Sequence, residues 1–469
     1  MNAIKFGTDG WRAIIAKDFT VRNVARVSAA ISNWLFKKYQ DATVVVGYDC
    51  RFGGKMFSET VAKVLAFKGI KVLLAPDFVT TPMVSLGVKQ LKATLGIMIT
   101  ASHNPPEYNG LKLKGPHGGP LFDADIKNVE ALIPDDNIIN LETIRWEELL
   151  DQRRVEYTDL ESLYIEEIQK HFNLKKIAHS GFRFAFDAMH GAGQNVIRKI
   201  MPGIKCLNCT VDPFFKGIPP EPLEHNLITF SEKIRNNWKV DAGLAVDGDA
   251  DRIAMMDHTG RYVDAHHIML LLIHYLAGYK KLKGKVVTGF SSTVKVEKLA
   301  RHYKLPVHRV KIGFKEISEV MMKENILLGG EESGGISIAG AIPERDGIWI
   351  GLTLFEFMAD ANKSLTTLIE EVYAITGAFT YQRQDLKIDK DLKARVLKNC
   401  KEHPYSNFGS FKVSRVESLD GWKFFFNSDE WYMIRPSGTE PVLRTYAEAK
   451  TAERVTEIMR AGYEVIMNS

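Results

Sequence analysis

Short β-branched runs recur along this chain of 469 residues, and each ends in a polar or glycine-rich loop that leads into helical periodicity. This succession is typical of parallel βα units. The runs that show it cover residues 43–49, 71–77, 95–104, 182–193, 242–252, 285–290 and 326–335. Because ligands of open α/β sheets bind beyond the carboxyl ends of the strands, the loops that close these runs are where chemistry is expected.

The length of the chain and three changes in its local sequence pattern predict the domain organisation. At about 100 to 200 residues per domain, the chain has room for three or four domains. Polar, charge-dense joins fall at residues 151–159 and 257–260, and a third change follows Ala374. The last part of the chain combines paired strands with a helix from Thr451, which indicates antiparallel α+β structure. We predict three similar α/β-core domains, 1–150, 151–256 and 257–373, and an α+β domain, 374–469.

Composition excludes several classes of protein. Hydrophobic residues make up 45% and charged residues 25% of the chain, the balance of a soluble globular protein with a sizeable core. The net charge of +5 is too small for a nucleic-acid footprint. The N-terminus lacks a charged leader before an apolar stretch, and the apolar run from Ile268 is about half as long as a membrane span. We therefore expect neither a nucleic-acid nor a membrane partner.

Cysteine usage favours a cytoplasmic location. Four cysteines are too sparse for a disulfide framework, which favours a reducing compartment. Cys206 and Cys209 form a CxxC pair, but no second pair and no histidine cluster completes a zinc site. At these two positions the sequence favours small buried residues over a metal site.

Ser102 lies in the first candidate loop, TASHNPPEYNGLK at residues 100–112, directly after the apolar strand LGIMI. A serine after a strand most often caps a helix or turn. Its neighbours favour a nucleophile, because His103 can orient or exchange protons and two consecutive prolines stiffen the loop. Lys112 supplies a cation that either neutralises a phosphate or, with a lowered pKa, moves a proton. The absence of a GxSxG motif disfavours an acyl-serine hydrolase.

Three aspartates at alternate positions, Asp247, Asp249 and Asp251, follow the strand AGLAV in the loop DGDADR. Carboxylates this close repel one another unless a hard divalent cation lies between them, and a solvated acidic turn is the alternative. An EF-hand is excluded because its glycine and glutamate positions hold Arg252 and His258. Three protein oxygens leave room for a phosphate oxygen, so the loop predicts a Mg²⁺ site for phosphoryl transfer, with Arg252 binding the same phosphate.

Two further loops suit the ends of a phosphorylated sugar. The loop GGEESGG, residues 329–335, carries carboxylates that repel a phosphate but accept hydrogen bonds from hydroxyl groups, with a plain tight turn as the alternative. Arg345 lies nearby in PERDG. The loop RPSGTEPVLR combines Arg435 and Arg444 with small hydroxyl side chains and a glycine. That set suits the wrapping of phosphate oxygens, and a structural turn is the alternative.

Taken together and in this order, the four loops resemble those of the α-D-phosphohexomutase superfamily, the phosphoglucomutase/phosphomannomutase group. The resemblance covers essentially the whole chain, from GTDGWR at Gly7 to RPSGTEP at Arg435. It implies an α/β protein of four domains around a central cleft. Three of these domains share an α/β core with mixed sheets, and the C-terminal α+β domain is similar to the TATA-box-binding-protein fold.

The resemblance also implies roles for individual residues. Ser102 corresponds to the residue that is phosphorylated in the active enzymes. The implied Mg²⁺ ligands are Ser102, Asp247, Asp249 and Asp251. The residues expected around the reacting phosphate are Arg12, His103, Lys112 and Arg252. The residues expected to bind the rest of the substrate are Glu331 and Ser333 at the sugar hydroxyls, Arg345, and Arg435, Ser437, Gly438, Thr439 and Arg444 at the distal phosphate.

The implied activity is the interconversion of a hexose 1-phosphate and a hexose 6-phosphate through a phosphoserine and a 1,6-bisphosphate. Mg²⁺ is the expected cofactor, glucose 1,6-bisphosphate the expected activator, and a monomer or weak dimer the expected state. Gly335 stands where phosphoglucosamine mutases and some dual-specificity phosphomannomutases have histidine, so the chain resembles phosphoglucomutases more closely. The resemblance therefore implies glucose phosphate as the expected preferred substrate, with mannose phosphate as the alternative.

Other activities remain open at this point. Specificity for mannose or glucosamine phosphate is one, and a Mg²⁺-dependent phosphatase that uses the acidic loop is another. A phosphatase needs a route for water, whereas a site enclosed between four domains excludes it. A non-catalytic sugar-phosphate-binding protein is the last alternative, and intact Ser102 and the three aspartates argue against it.

Overall fold

The computed structural model describes residues 4–137, 139–436 and 442–469. They form four units in chain order, each with its own main sheet. Every run that the sequence predicts as a strand contains one, and the loop after it lies at the carboxyl end of that strand. In the described residues, no helix is both long enough and apolar enough to span a bilayer.

The first unit is a six-stranded mixed sheet with helices on both faces. Its strands are β1 (Trp11–Ile14), β2 (Thr43–Tyr48), β3 (Lys71–Leu74), β4 (Leu95–Ile99), β5 (Tyr108–Lys114) and β6 (Val155–Tyr157). Its helices are α1 (Val21–Lys38), α2 (Gly54–Phe67), α3 (Thr81–Gln90), α4 (Asp123–Glu130) and α5 (Trp146–Asp151). The strand order is β1-β5-β4-β2-β3-β6, and β5 and β1 are antiparallel to their neighbours. Val44 and Val46 join one apolar cluster and Val45 another, as alternation along a strand requires.

The second unit is a five-stranded mixed sheet. Its strands are β7 (Phe184–Asp187), β8 (Lys205–Leu207), β9 (Ala242–Val246), β10 (Ile253–Asp257) and β11 (Tyr262–Val263). Its helices are α6 (Leu160–His171), α7 (Leu174–Ala178), α8 (Gln194–Ile200) and α9 (Ile228–Asn236). The order is β11-β10-β9-β7-β8, with the parallel strands β9, β7 and β8 on one side.

The third unit is a four-stranded mixed sheet. Its strands are β12 (Lys285–Gly289), β13 (Val307–Val310), β14 (Ile326–Gly330) and β15 (Ile336–Ile338). Its helices are α10 (Ala265–Ile273), α11 (Lys295–His302), α12 (Phe314–Met321), α13 (Gly347–Ala361) and α14 (Leu365–Thr376). The order is β13-β12-β14-β15. Among these described strands, β13, β12 and β14 are parallel to one another, and β15 is antiparallel to β14.

The fourth unit differs from the others because its sheets are antiparallel throughout the described residues. Its strands are β16 (Thr380–Lys387), β17 (Asn407–Phe408), β18 (Phe411–Lys412), β19 (Arg415–Glu417), β20 (Trp422–Phe425), β21 (Trp431–Pro436) and β22 (Val442–Ala449). Its helices are α15 (Lys390–Glu402) and α16 (Ala452–Met467). The main sheet has the order β16-β22-β21-β20-β19. The predicted fold class, three mixed α/β units and an antiparallel α+β unit, is confirmed.

Side-chain caps explain where several helices begin. Thr80, Asp346 and Thr451 each accept a backbone N–H of the first helical turn with a side-chain oxygen. Such caps satisfy donors that the helix itself leaves unpaired. The cap at Thr451 agrees with the helix that the sequence predicts from this residue.

Two edge strands extend past the domain limits that the sequence predicts. β6 adds to the first sheet beyond residue 150, and β11 adds to the second sheet beyond residue 256. Both strands are short and partly exposed, so their polar composition resembles that of a linker. The domain limits themselves stay predictions.

One apolar cluster links the first three units. It includes residues of α3 and α6 and both the second and third sheets, and α13 of the third unit lies against β9 and β10 of the second. The fourth unit has its own cluster and meets the third through a smaller one that contains Phe290, Val294 and Trp431. The loops of the first three units are therefore held on a shared core.

Candidate active site

Ser102 lies in the loop after β4, fully buried, with its backbone at a φ of 56°. This left-handed conformation is uncommon for residues other than glycine and is often found at functional sites. Its Oγ donates a hydrogen bond to Asp247 Oδ2 at 2.8 Å. Arg51 donates to the carbonyl oxygens of Ser102 and Asn104, each at 2.6 Å. The loop therefore fixes the hydroxyl group against the acidic loop.

Asp247, Asp249 and Asp251 lie in the turn between β9 and β10 and are all fully buried. One carboxylate oxygen from each lies within 4.8 Å of the others. Burial raises the pKa of Asp247 well above its usual range, and the negative charges of Asp249 and Asp251 add to the shift. Across residues 4–137, 139–436 and 442–469, no other group of His, Cys, Asp or Glu side chains comes together in this way.

The acidic loop has oxygen atoms that the protein leaves without partners. Asp247 Oδ1 accepts the backbone N–H groups of Asp251 and Arg252 at 2.9 and 3.0 Å. The Oδ1 atoms of Asp249 and Asp251 are buried and have no hydrogen-bond partner. A buried oxygen atom without a partner costs folding free energy unless a ligand binds it. Carboxylate oxygens are the ligands that Mg²⁺ prefers. The three aspartates, with Ser102 Oγ beside them, therefore fit a Mg²⁺ ion.

Lys112 reaches the same carboxylates from β5. Its Nζ lies 2.8 Å from the Oδ2 atoms of Asp9, Asp249 and Asp251. Burial by itself lowers the pKa of Lys112, but the three carboxylates outweigh burial and raise this pKa. Of the two roles that the sequence leaves open, the structure favours a fixed cation over a lysine with a lowered pKa.

Arg345 connects all three α/β units. From the third unit, its Nη2 donates to Asp9 Oδ2 of the first unit at 2.5 Å and to Asp251 Oδ2 of the second at 2.6 Å. Gly335 provides the space for this side chain, because a Cβ at that position would lie 2.3 Å from Arg345 Cδ. Arg345 is therefore part of the reaction centre, which we define as Ser102, Lys112, Arg345, Asp9 and the three aspartates.

His103 and Arg12 stand beside the serine and are partly exposed. His103 Nδ1 lies 3.5 Å from Ser102 Oγ, and Arg12 Nη1 donates to Asn104 Oδ1 at 2.6 Å. Burial lowers the pKa of His103 well below its usual range, and the charges of Arg252 and Arg12 lower it further. The imidazole is therefore neutral at neutral pH and able to accept a proton.

Arg252 links the acidic loop to the glycine-rich loop. Its backbone forms a β-bridge with Gly335, and the next residue donates its N–H to Gly334 O at 3.1 Å. The Arg252 side chain donates from Nη1 to Glu221 Oε1 at 3.1 Å, while its Nε is buried without a partner. This unpaired donor leaves hydrogen-bonding capacity for an anion.

Glu331 and Ser333 of the glycine-rich loop lie after β14. Glu331 is buried, and its Oε1 accepts the Gly313 N–H at 2.7 Å. Burial raises the pKa of Glu331 to about 7, and the charge of Glu332 adds to the shift. Ser333 is partly exposed. The loop thus offers carboxylate and hydroxyl groups next to the Arg252 bridge.

The two described arginines that the sequence predicts for the distal phosphate, Arg435 and Arg444, lie near the facing ends of β21 and β22, and we call this pair the distal site. They are direct cross-strand partners in the antiparallel pair. Arg435 Nε donates to Asp420 Oδ2 at 3.0 Å, and Arg444 Nε lies 3.6 Å from Asp385 Oδ2. The predicted residues Ser437, Gly438 and Thr439 lie outside the described residues. Like charges placed opposite each other destabilise a sheet unless an anion lies between them.

The distal site also contacts the third unit. Asp420 Oδ2, which accepts from Arg435, also accepts the Ile312 N–H at 3.0 Å. The next residue, Gly313, binds Glu331. A short path of hydrogen bonds therefore connects the distal arginine to the glycine-rich loop.

Sequence reasoning missed three polar residues that build the reaction centre. Asp9 contacts Lys112 and Arg345, Arg51 holds the serine loop, and Thr81 Oγ1 donates to Asp249. Arg51 lies three residues after β2, in the loop at the carboxyl end of that strand, so its position was a usable signal, whereas Asp9 precedes β1. Thr81, at the start of α3, offers no such signal.

Comparison with known proteins covers the chain from end to end. Phosphoglucomutase/phosphomannomutase alpha/beta/alpha domains I, II and III match residues 3–137, 162–260 and 264–375, and the C-terminal domain matches 383–464. A Thermococcus kodakarensis protein named phosphoglucomutase/phosphomannomutase is 29% identical over 469 residues, which covers 98% of each chain. A Sulfurisphaera tokodaii phosphoglucosamine/phosphogalactosamine mutase is 31% identical over 458 residues, 95% of each. A Thermus thermophilus structure described as a phosphomannomutase has a TM-score of 0.88 and 30% identity, with 99% of each chain covered.

Proposed function

This chain belongs to the phosphoglucomutase/phosphomannomutase family of the α-D-phosphohexomutase superfamily, and we propose that it interconverts hexose 1-phosphates and hexose 6-phosphates through a phosphoserine at Ser102. One observation carries the proposal. The buried Ser102 Oγ is hydrogen-bonded to Asp247 within the three-aspartate cluster, and two cations bind the same cluster. A hydroxyl group placed in this way suits phosphoryl transfer better than hydrolysis by an activated serine.

Both half-reactions use the same residues. The phosphorylated Ser102 donates its phosphoryl group to the free hydroxyl of a hexose monophosphate, so the bond between phosphorus and the serine oxygen breaks as the bond to the sugar oxygen forms. The bisphosphate then reorients, and its other phosphoryl group returns to Ser102. Neutral His103, next to Ser102, is available to accept the proton of the attacking hydroxyl group. Lys112 and Arg345 hold positive charge at the aspartates throughout.

A bound Mg²⁺ supplies electrostatic stabilisation of the charge on the transferring phosphoryl group. Its proposed protein ligands are Asp247, Asp249 and Asp251, with Ser102 Oγ beside them. Glu331 and Ser333 bind sugar hydroxyls, and Arg435 and Arg444 bind the phosphate that is not reacting. Because the hydroxyl contacts lie between the two phosphate positions in this scheme, the sugar keeps them in either orientation.

For the sugar, we propose glucose phosphate as the preferred substrate and mannose phosphate as the second. The glycine at position 335 supports this choice, because the Arg345 side chain fills the space that a larger residue would take. Glucosamine phosphate is the alternative, and the similarity to a phosphoglucosamine/phosphogalactosamine mutase supports it.

The test combines mass and activity. Purified protein should carry one phosphate on Ser102 by intact-mass and peptide analysis, and it should convert glucose 1-phosphate when glucose 1,6-bisphosphate is present. Assays with glucose, mannose and glucosamine 1-phosphates at equal concentration rank the sugars by kcat/KM. An unphosphorylated serine after incubation with the bisphosphate, together with no conversion of any of the three, contradicts the mutase.

A further inference from the structure

Cys206 and Cys209, for which the sequence favours two small buried residues, are not equivalent in the structure. Cys206 lies on the edge strand β8 and is partly exposed, whereas Cys209 is 5% exposed. Both are free cysteines. Between them Asn208 adopts a φ of 47°, a left-handed bend at the end of β8, and the two side chains lie close enough for each thiol to shift the pKa of the other. The two sulfur atoms are therefore neighbours, one accessible and one enclosed.

Arg198 of α8 completes the arrangement. Its Nη2 donates to the carbonyl oxygen of Cys209, and its guanidinium group also interacts with the Cys206 sulfur. The hydrogen bond from Cys209, helped by Arg198, outweighs burial and lowers the pKa of Cys206 to about 6. The pKa of Cys209 is raised by the same hydrogen bond and by burial. A partly exposed thiol with a lowered pKa next to an enclosed thiol with a raised pKa is the arrangement of an attacking cysteine and its resolving partner.

A metal ion explains this cluster less well. His190 lies nearby, with Nδ1 bonded to Thr210 O at 2.9 Å and with Nε2 buried and unpaired. These side chains do not form a group that reaches one ion, because the three aspartates are the only such group in the described chain. A pair of thiols without a third ligand is suited to oxidation instead.

The bend between the cysteines is hydrogen-bonded to the loop at residues 188–192, which supports the acidic loop. The carbonyl oxygens of Leu207 and Asn208 accept N–H groups of this loop at 3.3 and 2.8 Å. At the other end of the loop, Ala192 donates its N–H to Gly248 O at 2.9 Å. Gly248 lies between Asp247 and Asp249 in the chain. The 188–192 loop packs closely against the acidic loop, because a Cβ on Gly191 would lie 2.6 Å from Gly248 O.

We propose that Cys206 and Cys209 form a thiol–disulfide switch that acts on the acidic loop, a regulation that rests on the proposed mutase function. The oxidant is a small-molecule disulfide such as oxidised glutathione. The Cys206 thiolate attacks one of its sulfur atoms, which forms a mixed disulfide and releases one thiolate. The Cys209 sulfur then attacks Cys206, the mixed bond breaks, and the Cys209 proton passes to the second departing thiolate. The two protein thiols lose two electrons, and the small disulfide becomes two thiols.

Closing this bond tightens the bend at 206–209 and shifts the carbonyl oxygens of Leu207 and Asn208. The 188–192 loop then moves, and Gly248 moves with it. Since a misplacement of about 1 Å in a catalytic site costs about a hundredfold in rate, the oxidised enzyme should lose about tenfold to a hundredfold in kcat.

The experiment treats the full-length protein with reduced or oxidised glutathione. Non-reducing peptide mapping should find a 206–209 disulfide, with the loss of two hydrogen atoms in the intact mass. Hydrogen exchange at residues 247–252 should become faster, and the mutase rate should fall. Reduced glutathione should then reverse the disulfide, the faster exchange and the loss of rate. Oxidation that spares 206–209, or a 206–209 disulfide that leaves exchange at 247–252 unchanged, overturns the switch.

Variants provide matched controls. Cys206→Ser should have the mutase rate of the wild type in its thiol form and should not respond to oxidised glutathione. Cys400→Ser, which removes a buried thiol of α15, should still respond to oxidised glutathione. Arg198→Gln should slow alkylation of Cys206 by iodoacetamide at neutral pH, and an unchanged rate contradicts the role of Arg198. If the protein shows no mutase activity in either redox state, the proposed function fails, while the disulfide and exchange measurements still decide the switch.

Discussion

The reaction centre and the distal site treat charge in opposite ways. In the reaction centre, Lys112 contacts three carboxylates of the centre and Arg345 contacts two of them, so these cations are already held by ion pairs before any ligand binds. In the distal site, Arg435 and Arg444 face each other across two strands, and each has a single acidic partner among the described residues. The first arrangement favours fixed geometry, and the second favours capture of an anion. Substitutions should therefore have different kinetic signatures in the two places.

Ser102→Ala should have the largest effect and reduce turnover to background. The Oγ atom is the proposed covalent carrier, so no other group replaces it, while binding of hexose phosphates should persist. A coupled assay supplied with glucose 1,6-bisphosphate, together with calorimetric binding, measures both quantities. Ser28→Ala is the matched control, because Ser28 is equally buried in α1 and only donates to Val24 O. Turnover near that of the wild type contradicts the covalent role.

Removing the metal should have the next largest effect. Chelation should stop turnover, and added Mg²⁺ should restore it, because the carboxylates at the serine lack another cation at their unpaired oxygens. Asp249→Asn should cost about 4 kcal/mol of transition-state stabilisation, roughly a thousandfold in kcat, on the scale of a lost electrostatic contact. Full turnover in excess chelator would show that the acidic loop holds no required ion.

Gly335→Ala should disturb the reaction centre without changing any charge. The new Cβ would lie 2.3 Å from Arg345 Cδ, so the guanidinium group must leave Asp9 or Asp251. We expect kcat to fall by about a hundredfold with a small change in KM, because positioning is lost and the distal contacts remain. Gly203→Ala is the control, since a Cβ at Gly203 meets no atom within 4 Å. Equal kinetics in the two variants would refute the positioning role of Arg345.

Arg435→Ala should affect binding first. Loss of one charge-assisted contact of about 1.5–3 kcal/mol raises KM by about tenfold to a hundredfold, and kcat falls less because the distal site does not touch the reacting atoms. Arg415→Ala on the same sheet, where the arginine pairs with Glu417, is the control. A fall in kcat without a rise in KM would show that Arg435 positions groups as Lys112 and Arg345 do. The two sites would then not differ in the way proposed here.

The last prediction concerns stability and expects no change in turnover; it involves a buried carboxyl group next to Arg345 in the chain. Asp346 caps α13, accepts from Tyr164 Oη at 2.8 Å, and burial raises its pKa from 3.8 to about 7. Its contribution to stability is full below the unfolded pKa and is lost as the pH rises through about 7, because the folded state holds the proton more tightly. Asp346→Asn keeps the cap and removes this titration. Between pH 4 and 8 its free energy of unfolding should therefore fall less than that of the wild type, by up to about 4 kcal/mol.

Urea unfolding at several pH values between 4 and 8 tests this difference. Parallel curves for the wild type and Asp346→Asn would show that Asp346 does not titrate in this range. The comparison leaves the reaction centre and the distal site unchanged, so kinetics at neutral pH serve as the control.

The sequence by itself determined the strands, the loops that follow them and the main chemical groups. Alternation and helical period are local properties, so residues 95–99 and 242–246 predict strands without reference to the rest of the chain. Ser102 and Asp247 lie in the loops that follow these two strands, and their residue types indicate their chemistry. Edge strands such as β6 have the polar composition of a linker, so local composition does not distinguish them from a join between domains.

Only the tertiary structure decided how these groups act on one another. The charge state of Lys112 depends on Asp9, Asp249 and Asp251, which lie about a hundred or more residues away in the chain, and Asp9 has no distinguishing pattern of its own. The inequality of Cys206 and Cys209 depends on the edge position of β8 and on Arg198. Electrostatic interactions and burial act through space, so residues of similar sequence context acquire different pKa values and roles only when the units assemble.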